Sequence, residues 1–311
     1  MWLENQTMDK IRKIKGGMSM FVTEDETLLV NSNCKNTVYV YDLKSKSTKP
    51  VFWTRTVSNV DKKAISPDKK LLAAKNTSGM MALISLETGE ELFRNPMGKS
   101  EGYSIAFTDD GKHVLDMDWS GRTMLLNCQT DQCDILDGPV VRGMNGYPHV
   151  TFMGYDRYSK QIYRIVEEFG YNQRGVAQTS KLCDNKVSYK TVSVFKKKAP
   201  GLLDCISLCK LRNYYKDGGS IVVSDKDFNE LERSPLPARF DGCNTNLVKM
   251  WISPGERYGF FTCQGMSILF DLVQRRTVLE FDYDFVDGFT MINDDTTFII
   301  STWDGSYIGN I

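Results

Sequence analysis

Short runs of apolar and β-branched residues, each ending in a small polar residue, recur along this chain of 311 residues. They occupy residues 38–42, 82–85, 124–127, 176–180, 221–224, 268–271 and 307–310. Runs of this length and composition predict β-strands. Their spacing of about 40 to 50 residues indicates a structural unit that is repeated along the whole chain.

A second marker, a turn rich in Asp, Gly, Pro and Ser, runs in phase with these strands. It occupies residues 23–26, 66–69, 108–111, 253–256 and 293–296. Such residues suit tight hairpins because Pro presets φ, Gly tolerates positive φ and the Asp side chain bonds to nearby backbone. We interpret each turn as the hairpin between the first and second strands of a unit, and residues 86–91 as a hairpin between a third and a fourth strand.

Seven units of four antiparallel strands predict an all-β, seven-bladed β-propeller that forms a single domain over residues 1–311. The approximate blades are residues 17–56, 57–99, 100–140, 141–196, 197–238, 239–283 and 284–311. The last unit ends after its third strand, which leaves an unpaired edge that must be covered. We predict that residues 8–15 supply the outer strand of the seventh blade and so close the ring.

Over essentially the whole chain, this pattern resembles the WD-repeat and YVTN-like seven-bladed propellers. The third strands end in pairs such as Tyr41-Asp42, where the strict WD family has Trp-Asp. The one Trp-Asp pair, Trp303-Asp304, falls in the turn between a second and a third strand. The resemblance implies a ligand site at the mouth of the central channel or on the face that carries the connectors between blades.

Charge and composition narrow the class of partner. Lys and Arg equal Asp and Glu at 39 each, so the formal net charge is zero and no long-range field attracts nucleic acid or an anionic membrane. The first residues lack the basic and apolar regions of a signal peptide, and the longest uncharged stretch, residues 258–270, is too short to span a bilayer. We therefore expect a cytoplasmic protein that binds neither nucleic acid nor membrane.

Eight cysteines are spread over the chain without a CxxC pair, and the histidines are His113 and His149. This set does not suit a zinc site, and we expect neither a metal nor another cofactor. Cys128 and Cys133 flank a hairpin loop and are the one pair that local spacing brings within reach of a disulfide. We favour the interpretation that the cysteines are reduced thiols filling a core.

Aromatic and Arg side chains occur in the turns between second and third strands, and loops of this kind often carry function. The candidate binding residues are Trp119, Arg122, Tyr171, Arg174 and Trp303. Because Trp, Tyr and Arg dominate the binding energy of many interfaces, these turns indicate a face that binds a protein or peptide. The alternative is that the aromatic rings pack one blade against the next.

Alignment of the innermost strands places a second set of candidates at the mouth of the central channel. These are Asp61, Tyr103, His149, Asp204, Lys249 and Asp287. One hypothesis makes this ring a small-molecule pocket in which His149 and the aspartates act as bases. The alternative is a solvated lining whose opposite charges compensate one another.

The chain carries none of four common local signatures of enzymes: G-x-S-x-G, the P-loop, H-E-x-x-H and the dinucleotide fingerprint. We therefore favour a non-catalytic scaffold that binds a protein or peptide partner through one loop face. The alternative is a lactonase-like or hydrolase-like enzyme, or a small-ligand binder, with its site at the channel mouth. The fold itself is compatible with both, because propellers include such enzymes.

Overall fold

The computed structural model describes residues 11–98, 101–138, 149–168, 174–184, 186–195, 206–283 and 285–311. Within these ranges the chain forms seven antiparallel sheets of four strands each. It also forms two short 3-10 helices, Ala238–Phe240 and Thr245–Leu247. The seven-bladed β-propeller predicted from the sequence is therefore confirmed.

Blades 1 to 6 are each built from four consecutive strands, of which the first lies innermost and the fourth outermost. Blade 1 comprises β2 (Met18–Val22), β3 (Leu28–Ser32), β4 (Thr37–Asp42) and β5 (Phe52–Arg55). Blade 2 comprises β6 (Val60–Ile65), β7 (Leu71–Asn76), β8 (Met80–Ser85) and β9 (Glu91–Pro96). Blade 3 comprises β10 (Ser104–Phe107), β11 (His113–Met117), β12 (Thr123–Asn127) and β13 (Cys133–Asp137). Blade 4 comprises β14 (His149–Asp156), β15 (Gln161–Glu168), β16 (Arg174–Lys181) and β17 (Lys190–Val194). Blade 5 comprises β18 (Ile206–Leu208), β19 (Asn213–Asp217), β20 (Ser220–Ser224) and β21 (Glu230–Pro235). Blade 6 comprises β22 (Lys249–Ile252), β23 (Tyr258–Cys263), β24 (Met266–Asp271) and β25 (Arg276–Phe281).

Blade 7 is completed by a strand from the other end of the chain. Its three inner strands are β26 (Val286–Ile292), β27 (Thr297–Thr302) and β28 (Gly305–Asn310), and its outer strand is β1 (Arg12–Ile14). The pairing is antiparallel and sets Lys13 opposite Tyr307. The predicted closure of the ring by an N-terminal strand is thus confirmed, and Ile14 is buried in the joint.

The turns between first and second strands in blades 1, 2, 3 and 6 share one type of hydrogen bond. A Ser or Thr hydroxyl oxygen at the start of the turn accepts the backbone N–H five residues further on. The pairs are Thr23 with Leu28, Ser66 with Leu71, Thr108 with His113 and Ser253 with Tyr258. The small polar residues of the sequence marker therefore satisfy backbone groups that the hairpin leaves without a strand partner.

The polar residue that ends a third strand acts in the same way on the next turn. Asp271 Oδ1 accepts the backbone N–H groups of Val273 and Gln274. Asn127 Oδ1 accepts those of Gln129 and Thr130 in blade 3. The polar ends of these two apolar runs thus cap the hairpins that lead to the outer strands of blades 3 and 6.

The core is divided among the interfaces between blades. Within the described residues, seven hydrophobic clusters each fill the space between two neighbouring blades. Between blades 6 and 7, the rings of Phe260 and Phe289 stack with their centroids 4.9 Å apart. Between blades 7 and 1, Ile14 of the closing strand packs with Leu29 and Ile299. The closing strand therefore contributes to the core as well as to a sheet.

Cys128 and Cys133 are free thiols. The register of blade 3 sets Cys133 opposite Leu126, so the two cysteines are not cross-strand partners. Burial raises the pKa of Cys128 to about 12, because the thiolate would lose its hydration in the core. The interpretation as core thiols holds for the buried Cys128, Cys209 and Cys263, but it is wrong for Cys34 and Cys183, which are exposed.

The connectors between blades meet the turns between second and third strands on one face of the ring, which we call the loop face. Asn59, in the connector before blade 2, donates its backbone N–H to Lys35 O at 2.7 Å, in the turn of blade 1. The carbonyl of Asn59 accepts the N–H of Thr77, in the turn of blade 2, at 3.2 Å. The innermost strands begin at this face, so the channel mouth opens on it.

Candidate functional site

Trp119 and Trp303 lie on the loop face, in the turns that follow the second strands of blades 3 and 7. Their side chains are 47% and 59% exposed. Neither ring is therefore fully buried between blades. Blades 3 and 7 are three positions apart in the ring, so the two tryptophans belong to separate patches of the same face.

The patch on blade 7 contains a second ring that the sequence analysis missed. Phe285, which precedes β26, stacks on Trp303 with centroids 5.1 Å apart and planes inclined by 21°. Phe285 is 69% exposed. Its backbone has φ of 54°, in the left-handed region that costs a residue with a side chain about 1–2 kcal/mol. The fold thus holds two large apolar rings against each other and toward solvent.

Charged and tyrosyl groups border this aromatic pair. Lys13 Nζ lies 2.5 Å from Asp304 Oδ2 and 5.5 Å from the centroid of the Tyr307 ring. The rings of Tyr283 and Tyr307 stack with centroids 4.3 Å apart. The patch therefore combines an exposed apolar centre with a polar border, the arrangement found at protein interfaces.

Arg122 is tied into the turn that presents Trp119. Its Nε donates to Asp118 Oδ2 at 2.6 Å. The other oxygen of Asp118 accepts the backbone N–H groups of Ser120 and Arg122. Arg122 therefore positions the turn around Trp119, and its guanidinium is engaged within the chain.

Four of the predicted site residues lie partly or wholly outside the described part of the chain. Tyr171 and Asp204 are not among the described residues. His149 begins β14 and Arg174 begins β16, opposite Glu168. The side chains of His149 and Arg174 are likewise outside what the structure describes, so all four remain predictions.

The predicted channel-mouth residues Asp61 and Tyr103 line a cavity of about 780 Å³. It extends beside the innermost strands of blades 1, 2 and 3, and reaches Tyr155 and Arg157 of blade 4. Tyr103 donates its hydroxyl to Val150 O, and burial raises its pKa to about 12. The phenol is therefore a neutral hydrogen-bond donor that joins blades 3 and 4.

Lys63 is a buried amine in the wall of this cavity, and it was not predicted. Its Nζ donates to Met18 O at 2.7 Å, Ser19 O at 3.0 Å and Ser19 Oγ at 2.8 Å. Burial lowers its pKa to about 7, although Asp61 and Asp287 act in the opposite direction. The lysine thus fastens blade 2 to the first strand of blade 1.

Asp287 and Lys249 complete what the structure shows of the predicted mouth. Asp287 Oδ2 accepts the backbone N–H of Ser19 at 2.9 Å, and Ser19 Oγ donates to Asp61 O. Lys249 Nζ donates to Val286 O at 3.5 Å. Ser19 of blade 1 is therefore hydrogen-bonded to residues of blades 7 and 2, and these bonds join the three blades at the channel mouth.

Basic side chains of blade 4 cross the channel at the end opposite the mouth. Arg157 donates to Val22 O in blade 1 at 3.4 Å. Lys160 Nζ lies 3.4 Å from Glu24 Oε1 in blade 1 and 3.0 Å from Asp109 Oδ1 in blade 3. The two ends of the channel are therefore built differently, and the far end is bridged by ion pairs.

In the part of the chain that the structure describes, no three His, Cys, Asp or Glu side chains are grouped as a metal ion would need. Over the same residues, no helix has the length and apolar character required to cross a membrane. The aromatic patch of blade 7 and the channel cavity are the places where the structure brings described candidate residues together.

The geometry defines the chain as a seven-bladed β-propeller. No family model matches its sequence, and no curated protein sequence matches it. The fold is similar to the β-propeller domain of Cps50 (Swd1) from Myceliophteria thermophila, with a TM-score of 0.72 and 10% identity over 98% of this chain and 99% of that one. It is also similar to hydrazine synthase from Kuenenia stuttgartiensis, with a TM-score of 0.68 and 10% identity over 99% of each chain. The resemblance noted in the sequence is thus confirmed for the fold.

Proposed function

We propose that this protein is a non-catalytic, cytoplasmic scaffold that binds a protein or peptide partner through its loop face. Phe285 and Trp303 form the centre of the binding surface. The observation that carries the proposal is their stacked and exposed arrangement, which the positive φ of Phe285 maintains at a cost in backbone energy. Trp119 contributes a second contact point on the same face.

The energetics of aromatic burial support this choice of centre. A Phe or Trp side chain buries about 150–250 Å² when it is fully covered. The exposed fractions of 69% and 59% correspond to about 190–320 Å² for the pair, so a partner that covers this area gains on the order of 5–8 kcal/mol at about 25 cal/mol per Å². The rings are already stacked in the free protein, so little conformational freedom is lost on binding.

The test compares Trp303→Ala with a matched control. Trp53, on the outer strand of blade 1, has the same exposure of 59% but lies on the rim. A partner is isolated from the native cells with the unmodified protein, purified, and titrated by calorimetry against both variants. We expect Trp303→Ala to weaken binding at least about tenfold, equivalent to about 1.4 kcal/mol, and Trp53→Ala to leave it unchanged. Equal affinity of both variants for the partner would refute the loop-face site.

A second candidate function is the binding of a small molecule in the channel. It is favoured by the cavity of about 780 Å³ that Asp61, Lys63 and Tyr103 line. One protein of similar fold is named as a synthase, so the architecture accommodates an enzyme. Native mass spectrometry of the protein from its own cells tests this function: a bound small molecule that is lost in Asp61→Asn and Tyr103→Phe would support it, and a ligand-free mass would argue against it.

A further inference from the structure

A groove of about 400 Å³ lies on the rim of the ring between blades 5 and 6. One wall is formed by residues 235–241, which follow the outer strand β21, and the other by Phe270 and residues 275–277 at the turn between β24 and β25. The connector from β21 to β22 contains both 3-10 helices, whereas the connector from β5 to β6 is a short link without a helix. The additional length of chain builds the first wall.

The side chains that line this groove carry an excess of positive charge. Arg239, Arg275 and Arg276 face it together with one acid, Asp241. All four residues are exposed. Arg239 makes a long, exposed contact of 3.7 Å with Glu280 Oε2. Although the formal net charge of the whole chain is zero, the groove has a local excess of positive charge, and this excess favours an anionic group.

Arg275 is held rigidly in the groove. It donates to Pro235 O at 3.0 Å and lies 5.4 Å from the centroid of the Phe270 ring. Its φ is 54°, and the left-handed positions in the corresponding turns of blades 2 and 3 are Gly89 and Asp131. The sequence thus places a large cation where blades 2 and 3 have a glycine and an acid. The contact also fixes the two walls relative to each other.

We propose that this groove binds an acidic peptide segment of a partner protein, whose carboxylates pair with Arg239 and Arg276. The planar guanidinium group presents parallel N–H donors that match a carboxylate, and such charge-assisted pairs are stronger than neutral hydrogen bonds. Pro235 and Phe270 provide apolar wall for the stems of the peptide side chains. A small, partly apolar groove with three cations suits a peptide better than a nucleic acid, which would need a longer basic track.

This site is separate from the loop-face patch on blade 7, and the two are tested independently. The probes are a fluorescein-labelled peptide of six glutamates flanked by glycines and its counterpart of six glutamines. Fluorescence anisotropy is measured with the full chain, with Arg239→Ala/Arg276→Ala, and with Arg55→Ala/Arg94→Ala. The last variant removes two exposed arginines from the outer strands of blades 1 and 2 and so matches the loss of charge.

We expect the glutamate peptide to bind the unmodified chain and the control variant, and to bind Arg239→Ala/Arg276→Ala at least about tenfold more weakly. Binding should also weaken as salt rises from 50 to about 200 mM, since these charges are exposed. Equal binding of the glutamine peptide, equal binding by both double variants, or no binding at about 1 mM would overturn the proposal. Loss of the glutamate peptide in Trp303→Ala would place the acidic site on the loop face and overturn it as well.

Discussion

Lys75 of blade 2 and Asp116 of blade 3 form an ion pair in which both side chains are completely buried. Lys75 Nζ lies 2.7 Å from Asp116 Oδ1 and 2.8 Å from Oδ2. Burial raises the pKa of Asp116 to about 6, because desolvation outweighs the attraction of the neighbouring ammonium. The pair joins the second strands of two neighbouring blades.

We expect the removal of one partner of this pair to cost more than the removal of both. Asp116→Asn leaves a buried ammonium without its counter-charge and should lower the free energy of unfolding by about 3–5 kcal/mol. Lys75→Met/Asp116→Leu replaces both charges with apolar groups of similar volume and should recover most of that loss. Urea denaturation measures both, and a double variant as unstable as Asp116→Asn would contradict the prediction.

Glu256 should make the stability of the blade 5 to blade 6 joint depend on pH. Its carboxylate accepts hydrogen bonds from the backbone of Leu211 and Arg212, the Arg212 guanidinium and the Tyr214 hydroxyl. Burial by itself raises the pKa of Glu256, but these hydrogen bonds outweigh it and hold the pKa below the ordinary 4.5. Because the folded-state pKa is depressed, the contribution is present above about pH 4.5 and is lost as the pH falls below that value.

The measurement compares Glu256→Gln with the unmodified chain between pH 3 and 7. Near pH 7 we expect the variant to be less stable by about 1–3 kcal/mol, the usual cost of a lost charged hydrogen bond in a buried site. The difference should shrink as the pH falls below about 4.5. Glu87→Gln, at an exposed position, serves as the control and should stay within about 0.5 kcal/mol at every pH.

The closing strand should stabilise the ring through burial more than through its ion pair. Ile14 is buried, so Ile14→Ala should lower the free energy of unfolding by about 2–5 kcal/mol. Lys13 and Asp304 are both exposed, so Lys13→Ala should leave the thermal midpoint almost unchanged. Calorimetry of the two variants gives the comparison, and a larger effect of Lys13→Ala would show that the closure is electrostatic.

Phe285 should show an unusual preference for glycine. Since its φ is 54°, Phe285→Gly relieves a conformation that Phe285→Ala retains, and the glycine variant should be the more stable by about 0.5–1 kcal/mol. At Leu92, an exposed position in the strand β9, the order should be reversed. Chemical denaturation of the four variants tests this, and the same order at both positions would mean that the backbone of Phe285 stores no strain.

The fold could be predicted because its signals are local. Asp271 and Asn127 end their strands and cap the following turns with their own side chains, so a polar residue after an apolar run marks the same place in both blades. The hydroxyls of Ser66 and Thr108 do the same for the earlier turn. The residue type is fixed by backbone groups a few positions away, and a single sequence contains that information.

The candidate site was less predictable because it depends on contacts between blades. Trp303 was identified, but its stacking partner Phe285 is on a different connector and in a backbone conformation that aromatic residues seldom adopt. Lys63 was missed because the irregular register between Val60 and Lys62 disturbs the alternation of side chains along β6. Arg275, in the turn between β24 and β25, was also missed. Its role depends on its hydrogen bond to Pro235 O of blade 5, and a single sequence does not show that contact.

The antiparallel pairing of residues 12–14 with residues 306–308 joins two distant parts of the chain. Blades 1 to 6 can each form from a continuous piece of chain, but the seventh must bring together segments separated by nearly three hundred positions. Closing so long a loop is slow relative to hairpin formation. We therefore expect β1, which is synthesised before the other strands of the propeller, to pair last. We expect the slowest phase of refolding to report the pairing of β1 with β28. A chain that ends before β28 should expose an unpaired strand edge, which favours association with another copy.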